Sequence, residues 1–370
     1  MYLKPSRHKR MRRRTSILIV IIIVIAAVAG VLLYLDNFTD FSFSKPLLKE
    51  TETRLPDTAV ASSGGILYMR DGTLYALDKS GSSLWELRQD LADPKVACSE
   101  QIICLYAQKS LQALSFDKQP LFSTSLDSDI LGVRCANAAV AALTSAADEA
   151  GTVQYYIYLY NDKGEAAAQR IELAAKPVLD FGFNAGGDLF WVLSLDSSGV
   201  VPVSYITTYK TDGSITGSIE IDTQVIEKVY VTSDSIFASG TNNLLSYSYV
   251  GAKQGDALIY GWKPAGSSVD AGSLKAAYVS RASLATIESA RIYASDLSYQ
   301  TVHLPRDVFS LALSQTKLFA YTPNEIYSYT PEGKLDKSVK LDQTITAVKQ
   351  LSSDIALVWD QDKSYIMHLN

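Results

Sequence analysis

From residue 55 onward the chain repeats one unit: an aromatic-rich strand, a polar turn and a second strand. TLYALDKSGSSLWEL (73–87), SLQALSFDKQPLFSTSL (110–126), YYIYLYNDKGEAAAQRIEL (155–173), VSYITTYKTDGSITGSIEI (203–221) and EIYSYTPEGKLDKSVKL (325–341) are its clearest copies. Looser copies lie near 244–262 and 290–304, and the chain closes on KSYIMHLN. The segments alternate with period 2 between Gly, Asp, Asn and Ser turns, and no amphipathic helix of any length interrupts them. The hairpins recur every 36 to 50 residues, a period that belongs to four-stranded propeller blades. Two further strands precede each hairpin, as in PKVACSEQIICLYA (94–107) and FSLALSQTKLFAYT (309–322). The expectation is an all-β fold, an eight-bladed β-propeller over 43–370, with seven blades as the alternative because small residues blur 251–304.

An eighth blade runs out of chain at Asn370 after its third strand. FSKPLLKE (43–50) can supply the missing outer strand from the other end of the domain, removing an open edge. With over 300 residues and 47% hydrophobic composition, such a domain buries an ample core. Three Cys, at 98, 104 and 135, are too few for a disulfide framework. Cys98 and Cys104 flank a turn at Gln101 and could face one another, but small buried side chains are the simpler reading. Cys135 holds the place in its blade that Cys98 holds in its own, which points to packing.

Ahead of the repeats, Ile17 to Leu35 is an apolar run of 19 residues without a charge, rising roughly 28 Å as a helix, enough to cross a bilayer. Seven Lys and Arg precede it, at 4, 7, 9, 10, 12, 13 and 14, whereas Asp36 and Asp40 lie beyond it. That asymmetry places the N-terminus inside. The expected order is a basic cytoplasmic tail (1–16), one transmembrane helix (17–35), a short linker (36–42) and an extracytoplasmic propeller, a single-pass protein of the cell membrane. Ala27-Val28-Ala29 offers a signal-peptidase pattern, yet the apolar run continues past it. Removing the tail's seven cations from 34 leaves 27 against 39 acidic residues, a net charge of −12 for residues 17–370. Such a surface does not suit nucleic acid.

GILYMRDGTLYALDKSGSSLWEL (66–87 with its leading Gly65) resembles the blade motif of the quinoprotein-like (PQQ-like, BamB-like) β-propeller superfamily, LYALDxxxGxxxW. The resemblance implies a Gly at the tight turn and a Trp, here Trp85, docked on the neighbouring blade. The other copies keep the strands and turn but lose the Trp. The layout of basic tail, single anchor and Tyr-rich propeller is also similar to a family of membrane-anchored propellers of Gram-positive bacteria, implying an envelope location and no established activity.

No catalytic, cofactor or metal signature is present. His occurs only at 8, 303 and 368, which speaks against zinc sites and His-dependent triads. Asp360-Gln-Asp362-Lys-Ser364 starts like a calcium loop but has Tyr365 where Gly should turn, so a plain hairpin turn is expected. Ser115-Phe-Asp-Lys118 has S-x-x-K spacing but crosses a strand and a turn. In a propeller, second-to-third and blade-to-blade connections share one face, and the short third-to-fourth turns lie on the other. The long segments 88–94, 144–153, 195–202 and 262–273 all read as belonging to the first face, and they carry Asp90, Asp93, Asp148, Glu149, Asp196 and Asp270 as candidate partner-binding residues. A strand starting at Phe43 begins on the opposite face, so the short-turn face is expected to look toward the membrane. The expected role is a binding or scaffold module for an envelope protein or cell-wall polymer. The alternative is an extracytoplasmic enzyme acting on glycan or peptide with carboxylates in the central channel.

Overall fold

The computed structural model describes residues 47–369 apart from 63, 167–169, 174 and 284. The basic tail, the apolar run 17–35 and the linker 36–42 lie outside the described residues. Among those described, no helix is long and apolar enough to cross a membrane.

Among the described residues, thirty-two strands form eight four-stranded antiparallel sheets, and these are the eight blades: 60–88, 95–125, 130–172, 178–221, 226–258, 262–303, 310–340 and 347–368. The blurred region 251–304 folds as the outer strand of blade 5 and the whole of blade 6, which decides eight over seven. Blade 8 takes its outer strand from the start of the domain: Leu48–Glu50 pairs antiparallel with Ser364–His368, Leu48 opposite Met367 and Glu50 opposite Tyr365. The closing strand is thus shorter than expected. Its first residues, 43–46, lie outside the described residues, and the strand enters from the short-turn face as anticipated.

Why these sequences make blades is visible in burial. Second strands are buried on both sides, because each blade is sandwiched between two others. Ile355–Trp359 and Leu318–Tyr321 are buried at every residue, and both are continuous apolar runs. Outer strands such as Ser83–Arg88 and Lys253–Leu258 alternate instead, one face against a neighbour and one in solvent. Apolar clusters straddle pairs of consecutive blades; in blade 2, Ile103 and Leu105 face blade 1 while Ile102, Cys104 and Tyr106 face blade 3. This period of two puts a single strand into two cores.

The third-to-fourth turns share one geometry in seven blades: Asp78–Ser82, Ser115–Gln119, Asn161–Glu165, Lys210–Ser214, Ser248–Ala252, Ala294–Ser298 and Thr330–Lys334. In each, the first N–H donates to the fifth C=O and the fourth N–H to the first C=O. The fourth residue has positive φ and is Gly at 81, 164, 213, 251 and 333, Lys at 118 and Leu at 297. Trp85 docks on blade 2 as expected, its ring 5.8 Å from that of Phe116 at an edge-on angle. The 360–364 segment is a plain hairpin turn, with Asp360 Oδ1 accepting the N–H groups of Asp362 and Lys363.

Candidate functional site

Five of the six candidate residues lie on the long-loop face. Asp90 and Asp93 occupy the link between blades 1 and 2, Asp148 and Glu149 the tip between Ala139–Ala147 and Val153–Asn161, and Asp196 the end of Leu189–Asp196. Asp270 does not join them. Trp262–Val269 is the inner strand of blade 6, and Val269 pairs with Leu274, so Asp270 sits in a tight turn on the opposite face. The sequence PAGSS hid that strand. An inner strand is paired on one side only, so it tolerates Pro264 at a bulge and small residues beside the channel.

Three of these carboxylates shape their own loops. Asp148 Oδ1 accepts the N–H groups of Thr152 and Ala150, Asp196 Oδ1 the hydroxyl and N–H of Ser198, and Asp270 Oδ1 the N–H groups of Ser273 and Gly272. The Thr152 N–H holds the Asp148 carboxyl below its ordinary range, and the Ser198 hydroxyl does the same for Asp196.

A feature not read from the sequence distinguishes half of this face. In blades 3 to 6 the inner strand carries a bulge near its long-loop end, skipping Leu131, Leu179, Glu227 and Ala265 in the pairing register. A bulge leaves its extra residue unpaired and turns its side chain away from the ladder. Leu131 is 49% and Leu179 48% exposed. On the same face, Val153, Val200, Val201, Leu258 and Tyr260 are also exposed, Val200 completely, and all seven belong to blades 3 to 5 or the link beyond blade 5. The other exposed large apolar residues among those described, Leu84, Ile215, Val250, Tyr299 and Leu335, are spread over five blades on the opposite side.

The middle strands of blades 3 and 4 are the longest of their kind and carry the loops 148–152 and 197–202. Stacked cations brace their bases. Arg170 lies 4.2 Å from the centre of the Tyr156 ring and pairs with Asp127 and Glu172, while Lys176 lies 3.5 Å from that of Tyr205 and pairs with Asp196. Asp129, Asp148, Glu149 and Asp222 have no ion pair among the described residues. The half-face thus carries exposed apolar side chains together with carboxylates that have no ion pair among the described residues.

In the channel, the inner strands contribute two carboxylates, Asp180 and Glu227. Asp180 lies between Arg134 at 3.1 Å and Lys228 at 3.7 Å, tying blades 3, 4 and 5 together, and Glu227 pairs with Arg281 at 2.6 Å. Glycoside hydrolysis needs two carboxyl groups flanking one bond, whereas each of these is held by cations. No group of three or more His, Cys, Asp or Glu among the described residues is arranged to hold a metal ion.

The three thiols are free. Cys98 pairs in register with Ile103 and Cys104 with Ala97, so the two sulfurs project to opposite faces of blade 2 and do not meet. Cys98 donates to the Ala61 carbonyl at 3.2 Å, and Cys104 instead meets Cys135 across the interface with blade 3. Cys98 and Cys135 end equivalent inner strands, as their spacing suggested. Burial pushes the Cys98 thiol up to about 12, and the Cys104 thiol together with burial raises Cys135. A thiol reagent is expected to titrate none of the three at pH 8 in the native protein and all three in denaturant without reductant. One thiol titrating in denaturant would reveal a disulfide and contradict the three free thiols.

Eight four-stranded sheets in a closed ring, with no helix among the described residues, define the protein as an eight-bladed β-propeller. The sequence profile of a family described as "Family of unknown function (DUF5711)" matches residues 38–256, more than half of the chain, and the chain belongs to that family. No curated protein matches it in sequence. Among solved structures, it is similar to BamB from Moraxella catarrhalis, with a TM-score of 0.53 and 10% identity over 87% of this chain and 99% of that one. It is also similar to the WD40 domain of SCAP from fission yeast (0.58, 11%, 88% and 97%) and to Sqt1 of Saccharomyces cerevisiae (0.57, 10%, 87% and 98%). Likeness at such identity is likeness of fold.

Proposed function

We propose that this protein is a membrane-tethered binding module that holds a protein partner on the long-loop face of blades 3 to 5, outside the membrane. The observation that carries the reading is the gathering of seven exposed apolar side chains on that half-face, which also holds Asp129, Asp148, Glu149 and Asp222, carboxylates with no ion pair among the described residues. Exposed apolar side chains gathered on one half-face mark an interaction site, and the carboxylates on that face select a partner segment that is apolar with flanking Lys or Arg. A polyhydroxylated wall polymer would leave Val200 and Leu179 without apolar contacts, so a protein fits better. The apolar run 17–35 and the basic residues ahead of it support a single-pass anchor with the N-terminus cytoplasmic, in keeping with the resemblance to anchored Gram-positive propellers.

A photo-crosslinking residue placed at Val200 in intact cells is expected to capture one discrete protein, and the same residue at Leu335 none. Val201→Asp with Leu179→Asp should abolish the Val200 adduct while the purified variant keeps its unfolding midpoint. Equal yields at both positions, or capture of wall polymer alone, would refute the docking surface. An epitope inserted beside Asp148 should be reached by antibody on intact cells and one at Lys4 only after permeabilisation; the reverse pattern would remove the membrane topology.

A further inference from the structure

A cleft opens on the other face, away from the docking tract. Its volume is about 470 Å³, and the inner-to-second turns of blades 2, 3 and 4 form its rim, at 99–101, 136–138 and 184–188. Its inner wall is the Arg134–Asp180–Lys228 bridge over three blades.

Three of the side chains that line it, Arg134, Lys228 and Trp191, are donors that the protein leaves partly unused. Arg134 donates Nε–H to the Phe181 carbonyl, Nη1–H to the Val133 carbonyl and Nη2–H to Asp180, which leaves two of its five N–H bonds. Its guanidinium also rests on the Phe181 ring at 5.0 Å, which fixes its plane. Lys228 is half exposed and, at 3.7 Å from Asp180 Oδ2, pairs by charge without a hydrogen bond. One carboxylate thus serves two cations, while Glu100 on the rim takes the Asn137 amide at 3.5 Å.

The third donor is the least expected. Trp191 lines the cleft, is 5% exposed, and its Nε1–H has no acceptor in the protein. It reaches this place because it pairs in register with Gly182, where a Cβ would stand only 3.3 Å from Nε1. A buried indole N–H without an acceptor is destabilising, and it calls for an acceptor that the protein itself does not supply.

We propose that this cleft binds the oxyanion of a small acidic ligand, a carboxylate or a phosphate, between Arg134, Lys228 and the Trp191 Nε1–H. Three donors from three consecutive blades line this cleft, its carboxylates Asp180 and Glu100 already serve donors of the protein, and an oxyanion supplies further acceptors with charge opposite to the two cations. The site is independent of the partner face, so the failure of one leaves the other standing.

Indole N–H resonances of the full chain, ¹⁵N-labelled at its four Trp and held in neutral detergent, provide the test. Trp191→Phe assigns the signal. Titration with inorganic phosphate or with acetate, at ionic strength matched by chloride, is expected to move the Trp191 signal saturably and leave Trp85 and Trp359 in place. A response to phosphate alone assigns a phosphoryl ligand, and one to acetate alone a carboxylic acid. Arg134→Gln and Lys228→Gln should each weaken the response at least about tenfold, with the other three indole signals reporting that the fold is kept. No movement with either anion, or movement unchanged in both variants, would overturn the site.

Discussion

Trp359→Ala is expected to destabilise the propeller by about 3–5 kcal/mol, the usual cost of emptying a buried Trp site. Trp359 ends the second strand of blade 8, 5% exposed, within the cluster that joins blade 8 to Leu55, Ala59, Ile66 and Tyr68 of the first blade and its approach. Its indole N–H donates to the Leu55 carbonyl at 2.8 Å, and the Leu55 N–H donates to Ser364 Oγ at 2.7 Å. Thr51 completes the clasp, its N–H on the Ser364 carbonyl at 3.0 Å and its hydroxyl 2.6 Å from Ser364 Oγ. The closing strand itself is only three residues, Leu48–Glu50, so the ring is shut by this buried network more than by strand pairing. Domains are stable by about 5–15 kcal/mol, and a loss of this size removes a large share. Trp359→Phe keeps much of the packing and loses the N–H, for about 1–3 kcal/mol. Urea unfolding of the full chain in detergent, monitored by circular dichroism, measures both. A cost below about 1 kcal/mol for the Ala variant would mean that the two ends are not held at this seam.

The ring was legible because its turns are chemically explicit. The turn seen in Asp78-Lys-Ser-Gly81 and Asn161-Asp-Lys-Gly164 recurs in seven of the eight blades, with Gly at its fourth position in five, and blade 8 takes its outer strand from Leu48–Glu50 instead. Where the pattern weakens, the reading slipped. Pro264, Gly266 and the serines after them do not alternate, so an inner strand passed for a loop and carried Asp270 to the wrong face. The bulges were out of reach for a different reason. One extra residue in a six-residue strand such as Ile130–Cys135 shifts the apolar phase for only two or three positions, and the same letters pair equally well without it. The apolar tract gathers residues as far apart as Leu131 and Tyr260, and the cleft gathers Arg134, Asp180 and Lys228. Ring topology brings each set together, while in sequence each member is a lone residue among ordinary strand neighbours. The acidic loops were found because a long segment that carries Asp or Glu between two strands is a local signal. Their carboxylates proved largely to fold the loops, with Asp148, Asp196 and Asp270 each bound to N–H groups of its own turn.

Gly164→Ala is expected to cost about 3–4 kcal/mol, of which the backbone accounts for the smaller part. Gly164 has φ +78°, and an L-residue in that region costs about 1–2 kcal/mol. Lys118 and Leu297 hold the equivalent position in blades 2 and 6 with φ +65°, so the conformation alone is bearable. The decisive difference is approach. A Cβ on Gly164 would stand 2.4 Å from Phe122 Cβ and 2.6 Å from its Cγ, because the outer strand of blade 2 docks on this turn of blade 3. Those atoms lie at the root of a side chain whose ring packs 5.6 Å from that of Tyr160, and they can retreat only if strand Pro120–Ser125 moves. Gly81 supplies the control. There the added Cβ meets the far end of Ile366, Cδ1 at 2.8 Å, which a rotamer change relieves, so Gly81→Ala should cost about 1–2 kcal/mol despite φ +85°. The comparison separates the two reasons for a turn glycine, since both variants take the same backbone penalty and only one forces a blade away from its neighbour. Equal losses for the two in urea unfolding would show that conformation decides; a loss at Gly164 larger by about 1–3 kcal/mol would show that overpacking between blades does.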